Sequence, residues 1–236
     1  MITMKSCYLQ GLKHGIPIAL GYFSVSFGFG IMAVRAGISP LAAVMISVTN
    51  LTSAGQAAGV SVIAEGGTLL EMALTQLIIN IRYALMAISL SQKANEKFTI
   101  PHRLIAGFGI TDEIFAVASA QPKAISPSYM YGLITAGFAG WSLGTLLGAF
   151  AGSALPRVFT DAMGIMLYGM FLAIIIPAAK KQHSILCVIL IAAGISVLFK
   201  YVLTFVSGGF AIIISAIIAS AAGALLFPVK EEADGQ

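Results

Sequence analysis

Eight apolar stretches take up most of the 236 residues, at about 15–35, 41–63, 69–91, 104–120, 129–153, 162–178, 184–206 and 209–227. A helix crossing a bilayer needs roughly 20 predominantly apolar residues. Only 9% of the chain is charged and 58% is hydrophobic, whereas a soluble domain carries roughly 25% charged residues. Such a chain cannot cover itself with polar surface. The expected fold is all-α, a polytopic integral membrane helical bundle with about 6–8 hydrophobic segments. Residues 1–236 are expected to form a single transmembrane domain.

Composition also narrows the function classes. The net charge of +4 comes with no basic run or arginine-rich arm, so it reads as loop anchoring rather than as a nucleic-acid surface. The opening "MITMKSCYLQGLKHG" lacks the order of a signal peptide, so the first span is expected to insert uncleaved. Cys7 and Cys187 have no metal or redox spacing. His14, His102 and His183 lie far apart at span edges. No metal or other cofactor is expected.

Two segments look irregular. "SVTNLTSAGQAAG" (47–59) is dense in polar and small residues, and the short segment 104–120 carries Asp112 and Glu113 at its centre. Broken or re-entrant helices are tolerated at membrane depth where protein or water covers their backbone. Loop charge supports a turning chain. If all eight segments cross with the N-terminus inside, Lys and Arg outside the spans divide six against five. If 41–63 and 104–120 both turn back, Lys93, Lys97 and Arg103 join Lys5, Lys13, Lys123, Lys180, Lys181 and Lys230 inside. Arg35 and Arg157 alone remain outside, nine against two, as the positive-inside rule prefers.

In segment 129–153 a small residue recurs every fourth position, at Gly132, Ala136, Gly140, Gly144, Gly148 and Gly152. Such a ridge lets another helix backbone approach closely. Packing within this chain is the expected use, and docking of a partner the alternative. Arg157 and Asp161 flank a span and are expected to form a loop contact. Trp141 and Tyr168 are expected as packing or interface residues.

The chemistry concentrates in the broken segments and in 69–91. On a continuous helix Gly109, Asp112, Glu113 and Ala116 share a small and polar face, with Ile110, Ile114 and Val117 on the other side. An aspartate at mid-bilayer costs about 2.5–3.5 kcal/mol on insertion scales, so such a residue is a functional candidate by default. Arg82, just past the middle of its segment and near Asn80, is the natural counter-charge, because pairing offsets both desolvation costs. Two acids against one arginine leave one carboxyl over for proton coupling. Asp112 is slightly favoured as the paired acid. Asn50, Ser53 and Gln56 are hydrogen-bonding groups fit to orient a polar solute, alongside Asn80 and Arg82, near unwound backbone.

These same residues carry a resemblance. The chain resembles the AzlC family, large subunits of bacterial branched-chain amino-acid exporters. The likeness runs from "GIPIALGYFSVSFGFG" (15–30) through "AGISPLAAVMIS" (36–47), "SAGQ" (53–56) and "NIRYALMAISLS" (80–91) to "TDEIFA" (111–116). The resemblance implies export of leucine, isoleucine, valine or similar solutes across the bacterial inner membrane, driven by the proton gradient. It also implies a small hydrophobic membrane subunit of the AzlD type as partner. No Gly-x-x-x-x-Gly-Lys-Ser/Thr motif is present, so ATP-driven transport is not expected. An intramembrane aspartyl protease is disfavoured as well, since "GFGITD" departs from Gly-x-Gly-Asp and no second central aspartate exists.

Overall fold

The computed structural model describes residues 4–151 and 154–228. Gly152, the tail with Lys230, and the side chains of Arg157, Asp161 and Tyr168 lie outside the described residues. The helices are α1 (Met4–Arg35), α2 (Pro40–Thr49), α3 (Ser53–Ala64), α4 (Leu69–Lys93), α5 (Ile100–Phe108), α6 (Asp112–Ser119), α7 (Pro127–Ala151), α8 (Arg157–Lys181), α9 (His183–Tyr201) and α10 (Gly208–Leu226). The fold is an all-α membrane bundle. Among the described residues α1, α4, α7, α9 and α10 are long and apolar enough to cross a bilayer. Both irregular segments are broken, 41–63 into α2 and α3, and 104–120 into α5 and α6.

The chain forms two compact units. One comprises 1–60 with 79–168, the other 61–78 with 169–236. The first is organised by α1 against α7, where the small-residue ridge is spent. An added Cβ at Gly140 would lie 2.3 Å from the Ala19 carbonyl oxygen, and one at Gly148 would lie 2.0 Å from that of Phe27. Gly140 and Gly148 are eight residues apart, as are Ala19 and Phe27, so α1 and α7 run parallel. Glycines on α1 reciprocate, with Gly11 against Tyr129 and Leu133, and Gly30 against Thr145 and Ala149. The ridge therefore packs within the chain, and its backbone-to-backbone contact excludes any larger side chain.

Segment four does not cross. Its flanks meet: the Asn95 N–H donates to the Ile125 carbonyl at 2.9 Å, and the Ile125 N–H to that of Lys93 at 3.0 Å. The Lys93 ammonium donates to the Ser119 carbonyl. A straight helix of this length would hold its ends about 30 Å apart. So α5 and α6 form a hairpin whose two ends both lie at the N-terminal end of α7. Parity then settles segment two. Parallel α1 and α7 need an odd number of crossings between them, and with segment four turning back only α4 crosses. Packing agrees, because Val60 of α3 shares a buried cluster with Ala43 near the start of α2 and with Phe29, Ala33 and Ala149 near the C-terminal ends of α1 and α7. The α2–α3 hairpin enters from that opposite end.

The result is two helix-then-hairpin modules of opposite sense, α1 with α2–α3 and α4 with α5–α6, an inverted arrangement found in carriers. Lys93, Lys97, Arg103 and Lys123 gather at the end where α1 begins with Lys5 and Lys13.

In the second unit α9 packs on α10, with Val188 against Gly223. Two acids hold the N-terminus of α10. The Gly208 N–H donates to Glu65 Oε2 at 3.0 Å, and the Ser207 hydroxyl donates to the buried Glu71 carboxylate. Anions suit a helix N-terminus, where unpaired N–H groups and the dipole both favour them.

Two predictions follow from the first unit. Gly144→Leu would put a Cβ 2.3 Å from the Phe23 carbonyl oxygen before the rest of the side chain is placed. The expected loss is about 3 kcal/mol or more, read as loss of monodisperse protein after detergent extraction. Single cysteines replacing Lys97 and Lys123 should label with an impermeant thiol reagent from the same face of the membrane; labelling from opposite faces contradicts the hairpin.

Candidate functional site

The two hairpin tips meet halfway along α1 and α7. Each second arm starts on a threonine. Thr111 caps α6, its hydroxyl accepting from the Ile114 N–H at 3.4 Å. Thr52 stands in the same position before α3, accepting from the Gly55 N–H at 3.3 Å. These caps satisfy orphan donors that lipid would leave unpaired. They also place Asp112 and Glu113 in the first turn of α6, where the dipole stabilises negative charge. The helix break alters the expected face. Gly109 ends α5, so it does not continue the α6 surface, and its own space is filled by Ile134. Ile114, behind the acids, is fully buried.

The two carboxylates take different partners. Arg82 Nη1 lies 2.9 Å from Asp112 Oδ2, with both side chains partly accessible at 37% and 27%. Glu113 Oε2 accepts from the Tyr22 hydroxyl at 2.5 Å, and that hydroxyl also lies 2.6 Å from Thr111 Oγ1. One phenolic proton serves one acceptor at a time. When Tyr22 donates to Glu113, its lone pairs are left to accept from Thr111. The acids are thus divided between α4 and α1.

Arg82 continues into a second chain of contacts. Its Nη2 donates to the Tyr83 hydroxyl at 3.3 Å, which donates to Thr52 at 3.2 Å, which in turn donates to Asn80 Oδ1 at 2.7 Å. The guanidinium carbon stands 5.0 Å from the Tyr83 ring centroid, within cation–π range. Arg82 Nε is buried and has no hydrogen-bond partner among the described residues. A buried donor without an acceptor costs about 1–3 kcal/mol, so this guanidinium keeps unused binding capacity.

The first hairpin is pinned by Gln56. Its amide nitrogen donates to the Asn50 carbonyl and, at 3.3 Å, to that of Ile46. Its amide oxygen accepts from the Trp141 indole at 2.9 Å. Trp141 is 1% exposed and packs edge-on against Tyr22, with ring centroids 5.4 Å apart. Ser53 joins Tyr22, Tyr83, Asp112, Glu113 and Trp141 around a space of about 10 Å³, room for about one water. Six sequence-named residues, Ser53, Gln56, Asn80, Arg82, Asp112 and Glu113, and the Asn50 backbone therefore belong to one connected region. Gln56 and Asn50 shape the tip, whereas Asp112 and Glu113 face the small space and Arg82 reaches it through Asp112 and Tyr83. Tyr22 and Thr111 were not anticipated. A single hydroxyl in "GYFSVSFGFG" or "GFGITD" carries no periodic signal that separates it from a packed residue.

The chain has recognisable relatives. The family model described as AzlC protein matches residues 17–155, a span holding both hairpins and every residue of the site. The chain is 31% identical over 191 residues to the inner membrane protein YgaZ of Escherichia coli, covering 78% of each protein. It is 29% identical over 184 residues to an uncharacterized membrane protein of Archaeoglobus fulgidus, covering 77% of this chain and 80% of the relative. No solved structure matches. The chain belongs to the AzlC family of integral membrane proteins, which gives it a transport-related role.

Proposed function

We propose that the chain is the large subunit of a secondary carrier that exports branched-chain or similar amino acids across the bacterial inner membrane, coupled to protons and working with a small AzlD-type membrane subunit. The observation that carries this reading is the division of the acids at the hairpin tips, with Arg82 on Asp112 and Tyr22 on Glu113.

An amino acid is a zwitterion, and the Arg82–Asp112 pair is its mirror image. The α-carboxylate takes the guanidinium, including the unengaged Nε, and the ammonium takes Asp112. The substrate thereby opens the pair by replacing it, and no unpaired charge is left in the low-dielectric interior. Glu113 is then the proton carrier. Tyr22 reports its state, because a phenol donates to a carboxylate and accepts from a protonated acid. Thr52, Asn80 and Ser53 orient the solute from the opposite hairpin. A central space of about 10 Å³ supports an occluded carrier rather than an open channel. The lysines gathered at the start of α1 and α7 support a cytoplasmic location for that end.

Asp112→Asn or Arg82→Ala is expected to abolish leucine efflux from cells co-expressing the small subunit, with membrane insertion retained. Normal efflux from both variants rules out the site. Glu113→Gln is expected to keep substrate exchange and lose net transport driven by a pH gradient in proteoliposomes. Tyr22→Phe should slow the proton-driven mode about tenfold or more, in the range seen for loss of a hydrogen bond to a charged group, with exchange less affected. Equal loss of both modes assigns Glu113 and Tyr22 to structure instead.

A further inference from the structure

A cavity of about 280 Å³ opens beside α4 and α5, lined by Leu90, Ser91, Phe98, Arg103, Gly107 and Ile110 among others. Sites for small ligands start at about 300 Å³, so this space suits one small molecule of amino-acid size. Three unlike surfaces meet there. The walls are mainly apolar. Arg103 contributes a guanidinium whose Nε donates to the Phe98 carbonyl at 3.2 Å. That bond anchors the planar group and leaves the terminal nitrogens for a carboxylate, which such a fork matches. The last turn of α4, with Leu90 and Ser91, supplies the third surface. The negative dipole end there favours a cation; of its end carbonyls that of Lys93 is already taken by the Ile125 N–H, and the Lys93 ammonium is drawn off to the Ser119 carbonyl. No acidic side chain lines the cavity.

A guanidinium, a helix C-terminus and apolar walls together are complementary to a zwitterion with an aliphatic side chain. Position adds a second reason. Ile110 lines this cavity and directly precedes Thr111 and Asp112, so one residue separates it from the hairpin tip. The space at the tip, about 10 Å³, admits no aliphatic side chain. A branched substrate needs room elsewhere before the tips part.

We propose that this cavity is the cytoplasmic-side binding site for the exported amino acid. Arg103 takes its carboxylate, the end of α4 its ammonium and the apolar walls its side chain, before it passes Ile110 to reach Arg82 and Asp112. This rests on the reading of the chain as an amino-acid carrier, yet binding is measurable without transport.

Ser91→Cys in a Cys7→Ser, Cys187→Ser background puts a single thiol on the cavity wall of the purified full chain. Leucine, isoleucine or valine is expected to slow maleimide labelling severalfold, whereas glutamate and lysine leave it unchanged. A Cβ at Gly107 meets nothing within 4 Å, so Gly107→Leu narrows the cavity without disturbing the fold. Its preference for leucine over alanine in efflux from cells should fall about tenfold, the usual scale for a few methylenes in an apolar pocket. Labelling that leucine leaves unchanged, or that an anionic phospholipid slows in its place, overturns the proposal even where the wild-type chain exports leucine. Leucine protection in a wild-type chain that moves no amino acid keeps the cavity as a binding site and overturns the carrier reading instead.

Discussion

A bilayer has no water to satisfy a broken helix, and the first unit is arranged around that constraint. Two hairpins expose backbone donors at their tips, at the depth where an unpaired group is most costly. Thr52 and Thr111 supply one acceptor each at equivalent positions. The side chain of Gln56 folds back onto the Asn50 and Ile46 carbonyls. The tips are then covered by protein, since α1 and α7 approach so closely that backbone meets backbone along the glycine ridge. Without that ridge Tyr22 and Trp141 would not stand between the two tips.

The same constraint explains why the acids sit where they do. An aspartate within a continuous transmembrane helix faces desolvation with little in return. In the first turn after a cap, Asp112 and Glu113 face unpaired N–H groups and the positive end of the α6 dipole. Arg82 and Tyr22 then complete the compensation from two other helices. Glu65 and Glu71 follow the same rule at the start of α10. Among the described residues the acidic side chains thus sit chiefly at helix N-termini.

Much of this was legible in the residues. The polar run 47–59 and the acids in 104–120 marked both breaks, and the loop charges favoured turning back. The glycine ridge was legible as a close helix contact, and α1 proves to be the helix it meets. What could not be read was the consequence of the break itself. Gly109 and Asp112 share a face only on an unbroken helix, and nothing in "GFGITD" states that the helix restarts at Asp112. Tyr22 escaped notice because its role depends on the parallel register of α1 and α7, a long-range property that no local pattern encodes. Glu71 carries no local signal of its role either, since its partner Ser207 lies 136 residues away.

Charge balance connects the site to its proposed cargo. At the tips one guanidinium faces two carboxylates, so the region is neutral when Glu113 holds a proton and carries one negative charge when it does not. A zwitterion entering between Arg82 and Asp112 leaves that sum unchanged. With Glu113 protonated, a free anion or cation would leave one uncompensated charge in a medium where an isolated charge is heavily penalised. On the carrier reading we propose, the protonated site therefore favours a net-neutral solute over a charged one before any side-chain pocket is considered. For the amino-acid cargo we propose, choice among neutral side chains would come from apolar space, which the tips lack and the cavity beside Ile110 offers. Selection by charge and selection by shape would on this view occur at two places along one path, separated by the hairpin tip that carries Glu113.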